Sequence, residues 1–166
     1  MSKKVLIFKN DRTGDLFVSL NAINKIINKH SNDHIDIFLS DVNHKFSFLF
    51  PTINKKILSM KLSITNKIKI FFYLLFNNVE TVYILTPKQY YYFLPFFFRK
   101  IKFYAITIKS IKSRPSNFFV KYLYKYSQID RINIKKRKSS YEIQSELIDT
   151  NLNKNYLNND FLINHS

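Results

Sequence analysis

The chain has no cysteine and no tryptophan, only four prolines, and one glycine, Gly14, in 166 residues. Without cysteine there is no disulfide framework and no thiolate metal site, which fits a reducing compartment. A single glycine cannot supply either G-x-G-x-x-G or G-x-x-x-x-G-K-[ST], so the dinucleotide fingerprint and the P-loop are both excluded. Long apolar runs are also missing. The longest, "IFFYLLF" (70–76) and "YYYFLPFFF" (90–98), fall well short of the roughly 20 residues that span a bilayer. At the N-terminus, "VLIF" is closed by Lys9 and Asp11, too soon for a secretory signal. The chain is therefore read as cytosolic, with membrane contact confined to the surface.

Acidic residues are scarce as well: 11 against 27 Lys and Arg, a net charge of +16 and a pI near 9.9. Such a field attracts anionic partners: nucleic acid, acidic lipid or phosphorylated sugar. Lys, Asn, Ile, Phe and Tyr are all abundant, as an AT-rich coding sequence produces, so about half of the basic excess is assigned to composition rather than function.

What is present alternates between two periods. "KVLIF" (4–8) is an unbroken apolar run, the pattern of a strand buried on both faces of a parallel sheet. After a loop over 9–14, Leu16, Leu20, Ile23 and Ile27 recur at helical spacing on one face. "SNDH" (31–34) is turn material, and "IDIFLS" (35–40) is a second strand. Residues 4–40 thus form a β-α-β unit. Further strands are expected at 53–60, 80–86 and 102–108. Helices are expected at 65–78, with Ile68, Phe71, Phe72 and Leu75 on one face, and at 88–100, disturbed by Pro95. Residues 114–127 and 139–149 also read as helical. The fold class is α/β: an open, mostly parallel Rossmann-like sheet with helices on both faces. Residues 1–150 form the domain, and the Asn-rich 151–166 reads as a polar tail or the start of a linker.

In open α/β sheets, ligands bind beyond the carboxyl ends of the strands, which is where "KNDRTGD" (9–15) falls. Gly14 there can adopt positive φ and lets a ligand approach the backbone. Asp15 reads in two ways. It is a first-turn carboxylate favoured by the helix dipole, or it points into the cleft as a general base.

"KVLIFKNDRTGDLFVSLNAINKIINKHSNDHIDIFLS" (4–40) resembles the opening of the ADP-heptose–lipopolysaccharide heptosyltransferases, glycosyltransferase family nine. The features that carry the likeness are Gly-Asp followed by "LFVSL", then "HIDIFLS". Weaker likeness runs through "FPTINKKIL", "ETVYILT" and "KRKSSYEIQSELI". The chain departs from the family at Asn21, where proline is frequent, and at Ser139, where histidine commonly precedes Glu142 by three residues. The resemblance implies the N-terminal, acceptor-binding half of a two-domain GT-B enzyme. It implies Asp15 as catalytic base, metal-independent transfer with inversion, no bound cofactor, and ADP-heptose as co-substrate. The expected partners are a lipopolysaccharide core acceptor, a nucleotide-sugar held by a domain outside this chain or by a separate chain, and the inner face of the cytoplasmic membrane. Arg12, Thr13 and Gly14 would line the acceptor cleft, and Arg114, Arg131 and Arg137 would contact acceptor phosphates, since the Arg fork matches phosphate. A non-catalytic binding domain for anionic glycolipid is the alternative.

Other constellations carry less. No two aspartates lie at i and i+2, so the Asp-x-Asp pair common to metal-dependent sugar transferases is missing. His30 and His34 straddle a turn rather than share a helical face, which argues against a zinc pair. Basic and aromatic residues interleave in "FFFRKIKFYAITIKSIKSR" (96–114), followed by "KKRK" (135–138). This suits an anionic lipid surface or, equally by charge, nucleic acid. No RNP motif, zinc-finger spacing or helix-turn-helix signature supports the second. A buried aromatic helix beside a solvated basic face also explains the pattern.

Overall fold

In a computed structural model of the chain, the run KVLIF becomes an inner strand of a six-stranded sheet. The structure describes residues 3–86, 88–107, 129–133 and Ile148. The strands are β1 (Lys4–Lys9), β2 (His34–Ser40), β3 (Asn54–Leu58), β4 (Val79–Ile84), β5 (Lys102–Thr107) and β6 (Ile129–Asn133). Their order is β3-β2-β1-β4-β5-β6, and every pairing is parallel. From β1 the chain moves outward to β2 and β3, then returns to lay β4 along the other side of β1. The order reverses between β1 and β4, and at such a switch point open α/β sheets place their ligand crevice, at the carboxyl ends of the strands.

Two apolar layers cover the sheet. On one face, Val5 and Ile7 of β1 and Ile35, Ile37 and Leu39 of β2 pack with Leu16, Ala22, Ile23, Ile26 and Ile148. On the other, Leu6, Phe8, Phe38, Val82 and Ile84 pack with Ile70, Leu74, Tyr91 and Leu94. Successive residues of one strand feed opposite cores, so β1 shows no polar alternation: Val5 to Phe8 are all fully buried.

The first helical stretch is two helices, α1 (Thr13–Val18) and α2 (Leu20–Lys29). They meet at buried Ser19, whose hydroxyl donates to the Asp15 carbonyl at 2.8 Å. The break re-phases the helix, so Ala22, Ile23 and Ile26 are buried, while Leu20 and Ile27 only flank them. A 3₁₀ segment, His44–Leu49, links β2 to β3.

α3 (Ile64–Phe76) lies where the sequence places a helix. The buried side is Ile70 and Leu74, and Ile68, Phe72 and Leu75 lie about half exposed on the outside. Almost every position from 68 to 76 is apolar, so periodicity alone does not fix which face turns inward. The sheet fixes it instead. Tyr73 donates to Asp36 of β2, which Lys4 also approaches at 3.4 Å. Ser63 caps the helix start by accepting from the Asn66 N–H at 3.2 Å. At the other end Asn78 takes φ 49°, the left-handed position that glycine fills in most chains.

α4 (Gln89–Phe97) runs through Pro95 and ends two residues later. Pro95 offers no N–H to the preceding turn, and Phe98 closes the helix by donating to the Leu94 carbonyl at 3.0 Å. The expected helices at 114–127 and 139–149 lie outside the described residues, except Ile148, which is buried in the α2-side core. The tail 151–166 lies outside them too. Among the described residues, no helix is long and apolar enough to cross a membrane.

Candidate functional site

Four loops converge where β1, β2, β3 and β4 end, and polar side chains join them. Lys9, the last residue of β1, is buried with 1% of its side chain exposed. Its ammonium donates to Asp11 Oδ2 at 2.7 Å. The same oxygen accepts from Thr86 Oγ1, beyond β4, at 3.0 Å. Asp11 Oδ1 is buried with no partner among the described residues. Ser40, at the end of β2, donates its hydroxyl to the Asp11 carbonyl at 2.7 Å. Asn43 donates to the Lys9 carbonyl at 2.8 Å. Asn10 donates to the Ser59 carbonyl at 3.2 Å and accepts from the Tyr91 hydroxyl. Lys88 reaches back from the β4 loop to the carbonyls of Asn10 and Met60.

This floor is electrostatically mixed. Burial pushes the Lys9 ammonium below its usual range, with the Asp11 and Asp15 carboxylates opposing that shift. Burial likewise pulls Lys88 down to about 8 against the attraction of Asp11 and Asp41. The Tyr91 phenol is pushed well above its ordinary value, again chiefly by burial.

The Lys88 shift sets a pH dependence. Between about pH 8 and its ordinary 10.5, the folded chain binds fewer protons at Lys88 than the unfolded chain. Stability therefore rises with pH across that window, and the lowered Lys9 acts in the same direction. The raised Tyr91 opposes only above about pH 10, where an unfolded tyrosine begins to lose its proton. Denaturant titrations at successive pH values should show a positive slope from about pH 8 to pH 10 that flattens in Lys88→Met.

Above the floor stand the residues that the sequence singled out. Arg12 is exposed, in extended backbone, and precedes α1 without a side-chain capping bond. Thr13, Gly14 and Asp15 form the first turn of α1, with Gly14 and Asp15 exposed. Asp15 is close enough for its charge to act on Lys9. Gly14 differs from expectation in one respect. It lies within the helix rather than the loop, and its φ is not positive. What it provides is room, since a Cβ built there meets nothing within 4 Å.

The structure brings Arg12, Thr13, Gly14 and Asp15 together at the switch point and does not bring Arg131 to them. The Arg131 backbone lies in β6, opposite Ala105, with β4 and β5 between it and β1. Arg114 and Arg137 lie outside the described residues. His30 is engaged with Asp33 at 2.7 Å and the Tyr83 hydroxyl at 3.0 Å.

Lys9, Asn10, Asp11, Thr86 and Lys88 escaped the sequence reading as site residues. One signal for the first pair was available: in extended chain, residues at i and i+2 share a side, so a Lys-x-Asp closing a buried strand can pair internally.

No protein-family model matches the sequence, and no curated protein does. Solved structures do match in shape. The chain superposes over 90% of its length on 42% of a glycosyl transferase family 9 protein from Veillonella parvula, with a TM-score of 0.66 and 9% identity. It superposes over 90% of its length on 48% of the E. coli heptosyltransferase WaaC with ADP-2-deoxy-2-fluoro heptose, with a TM-score of 0.61 and 15% identity. It also matches 62% of a dTDP-glucose 4,6-dehydratase from Bacillus anthracis in complex with NAD, with a TM-score of 0.53 and 10% identity. At such identities the likeness establishes the fold, a Rossmann-like α/β sheet. The chain spans less than half the length of either transferase.

Proposed function

We propose that the chain is the acceptor-binding half of an inverting, heptosyltransferase-like sugar transferase. The observation that carries this reading is the exposed Gly14–Asp15 turn beside a hydrogen-bonded polar floor at the β1/β4 switch point. In the proposed step, an acceptor hydroxyl of a lipopolysaccharide core attacks the anomeric carbon of a nucleotide-activated heptose. The new C–O bond forms as the bond to the diphosphate breaks, and the nucleoside diphosphate leaves with the electron pair. Asp15 takes the hydroxyl proton. Arg12 and Thr13 flank the incoming sugar, and Arg114, Arg131 and Arg137 remain candidates for its phosphates. The nucleotide-sugar, with ADP-heptose as the first choice, is held by a second domain or chain. The NAD-binding dehydratase shares the sheet, but one glycine cannot form its type of dinucleotide loop.

A non-catalytic glycolipid-binding domain is the second reading, favoured by the net charge of +16, which attracts an anionic glycolipid whether or not a sugar is transferred. One experiment separates the two. The chain is joined to the donor-binding half of the E. coli heptosyltransferase and supplied with ADP-heptose and heptose-free core glycolipid. Heptose transfer supports the enzyme reading. Acceptor binding without transfer supports the second, and neither binding nor transfer overturns both.

Gly14→Ala tests the acceptor's approach. The added methyl has space in the protein itself, and alanine favours a helix by up to about 1 kcal/mol. The variant should melt at the same or a higher temperature yet bind core glycolipid more weakly, as read by calorimetric titration.

A further inference from the structure

The outer face of α3 is more apolar than its inner one needs to be. Ile64 (74% exposed), Ile68, Phe72, Leu75 and Phe76 (72% exposed) lie on it. The end of α4 adds to it: Phe71 contacts both Phe97 and Phe98 with ring centroids 5.7 and 5.1 Å apart, and Phe97 is itself 61% exposed. A contiguous aromatic and aliphatic surface on this scale marks an interaction site rather than ordinary scatter.

The charge around it is mostly positive, Asp41, which accepts from the Met60 N–H at 3.1 Å beside Lys61, being an exposed carboxylate near the start of α3. Lys61, Lys69, Arg99 and Lys100 are all exposed in or beside the two helices. Between Asp41 and Asp130 the sequence contains a single acidic residue, Glu80, and it is engaged by Lys3 at 3.4 Å. Exposed aromatics in the middle with cations at the rim match an anionic bilayer surface, where rings enter the headgroup boundary and ammonium and guanidinium groups meet lipid phosphate. A protein partner would need acidic side chains to meet the same rim.

We infer that the outer face of α3, continued by the end of α4, docks the chain on an anionic phospholipid surface. The surface lies on the sheet face opposite α2, so docking leaves the α1 turn clear. The α3 N-terminus follows β3 and so lies at the crevice end of the sheet, which places the membrane beside the site rather than across it. The inference stands independently of which sugar, if any, is transferred.

The test is co-sedimentation of the full chain with vesicles free of any glycolipid, made of phosphatidylcholine alone or mixed with phosphatidylglycerol. Binding is expected to the mixed vesicles, to weaken with added salt, and to fall about tenfold or more in Phe72→Asp/Phe97→Asp. Both positions are exposed, so circular dichroism and melting temperature should hold. Lys69→Glu/Lys100→Glu, which keeps the apolar face intact, should also lose about tenfold, and only on the anionic vesicles. Equal binding to both vesicle types, or no loss in the charge-reversal variant, would overturn the inference. So would a concentration-dependent dimer that Phe72→Asp dissolves in the absence of vesicle binding, because the face would then belong to a second copy.

Discussion

Asp15→Asn is expected to lower kcat for sugar transfer about 10²–10⁴-fold, the usual contribution of a positioned general base. The measurement is made in the chain joined to a donor-binding domain. That loss corresponds to about 3–5 kcal/mol of transition-state stabilisation. Acceptor affinity should change little, because the amide occupies the same space and still accepts hydrogen bonds. Folding should also be nearly unaffected. Asp15 is exposed in the first turn of α1, where a carboxylate's interaction with the helix dipole is worth about 0.3–1 kcal/mol. A kcat that survives the substitution would return Asp15 to a helix-start role. A kcat that falls together with stability would point to the scaffold rather than to chemistry.

The second large effect falls on stability. Asp11→Ala is expected to cost about 3–5 kcal/mol, because it leaves the buried Lys9 ammonium without its counter-charge. Lys9 has 1% of its side chain exposed and Asp11 Oδ2 at 2.7 Å. The substitution also strands the Thr86 hydroxyl that bonds the same oxygen. A domain of this size has roughly 5–15 kcal/mol in hand, so the single variant should melt far lower or fail to accumulate. Lys9→Met/Asp11→Ala should recover much of the loss, since removing both charges avoids the uncompensated one. Chemical denaturation of the two variants reads the difference. If the double variant were no more stable than Asp11→Ala, the pair would owe its place to something other than charge compensation.

These two aspartates differ in how visible they were in the sequence. Asp15 could be placed because a continuous apolar run, a short loop and a helical period define a strand, a crevice and a helix start without knowledge of the rest of the sheet. Asp11 could not be placed in the same way. Its role depends on Thr86, which comes from the far side of the switch point, and on Lys9 being buried. A charged residue at the end of an apolar run ordinarily marks the return to solvent.

α3 shows a different limit. Its residues announce a helix, but "IFFYLLF" is apolar around most of its circumference, so no hydrophobic phase exists to read. Asp36 and Lys4, on two other elements, orient it through Tyr73 and turn Ile70 and Leu74 inward. Gly14 was expected to ease a loop. It lies instead in a helix, where its value is vacant space.

The strand order has a consequence for the chain as it is made. β1 emerges before both of its neighbours and is complete only when they are in place: Phe8 pairs with Phe38 on one side and with Ile84 on the other. The first partner follows within one crossover. The second arrives only after β2, β3 and α3 have been synthesised. Until then β1 presents an open hydrogen-bonding edge beside fully apolar side chains, and such long-range parallel pairing is slow and prone to aggregation. The nascent chain is thus most vulnerable between the completion of β2 and the arrival of β4, and a chaperone that shields the β1 edge in that interval would do the most to raise the yield of folded protein.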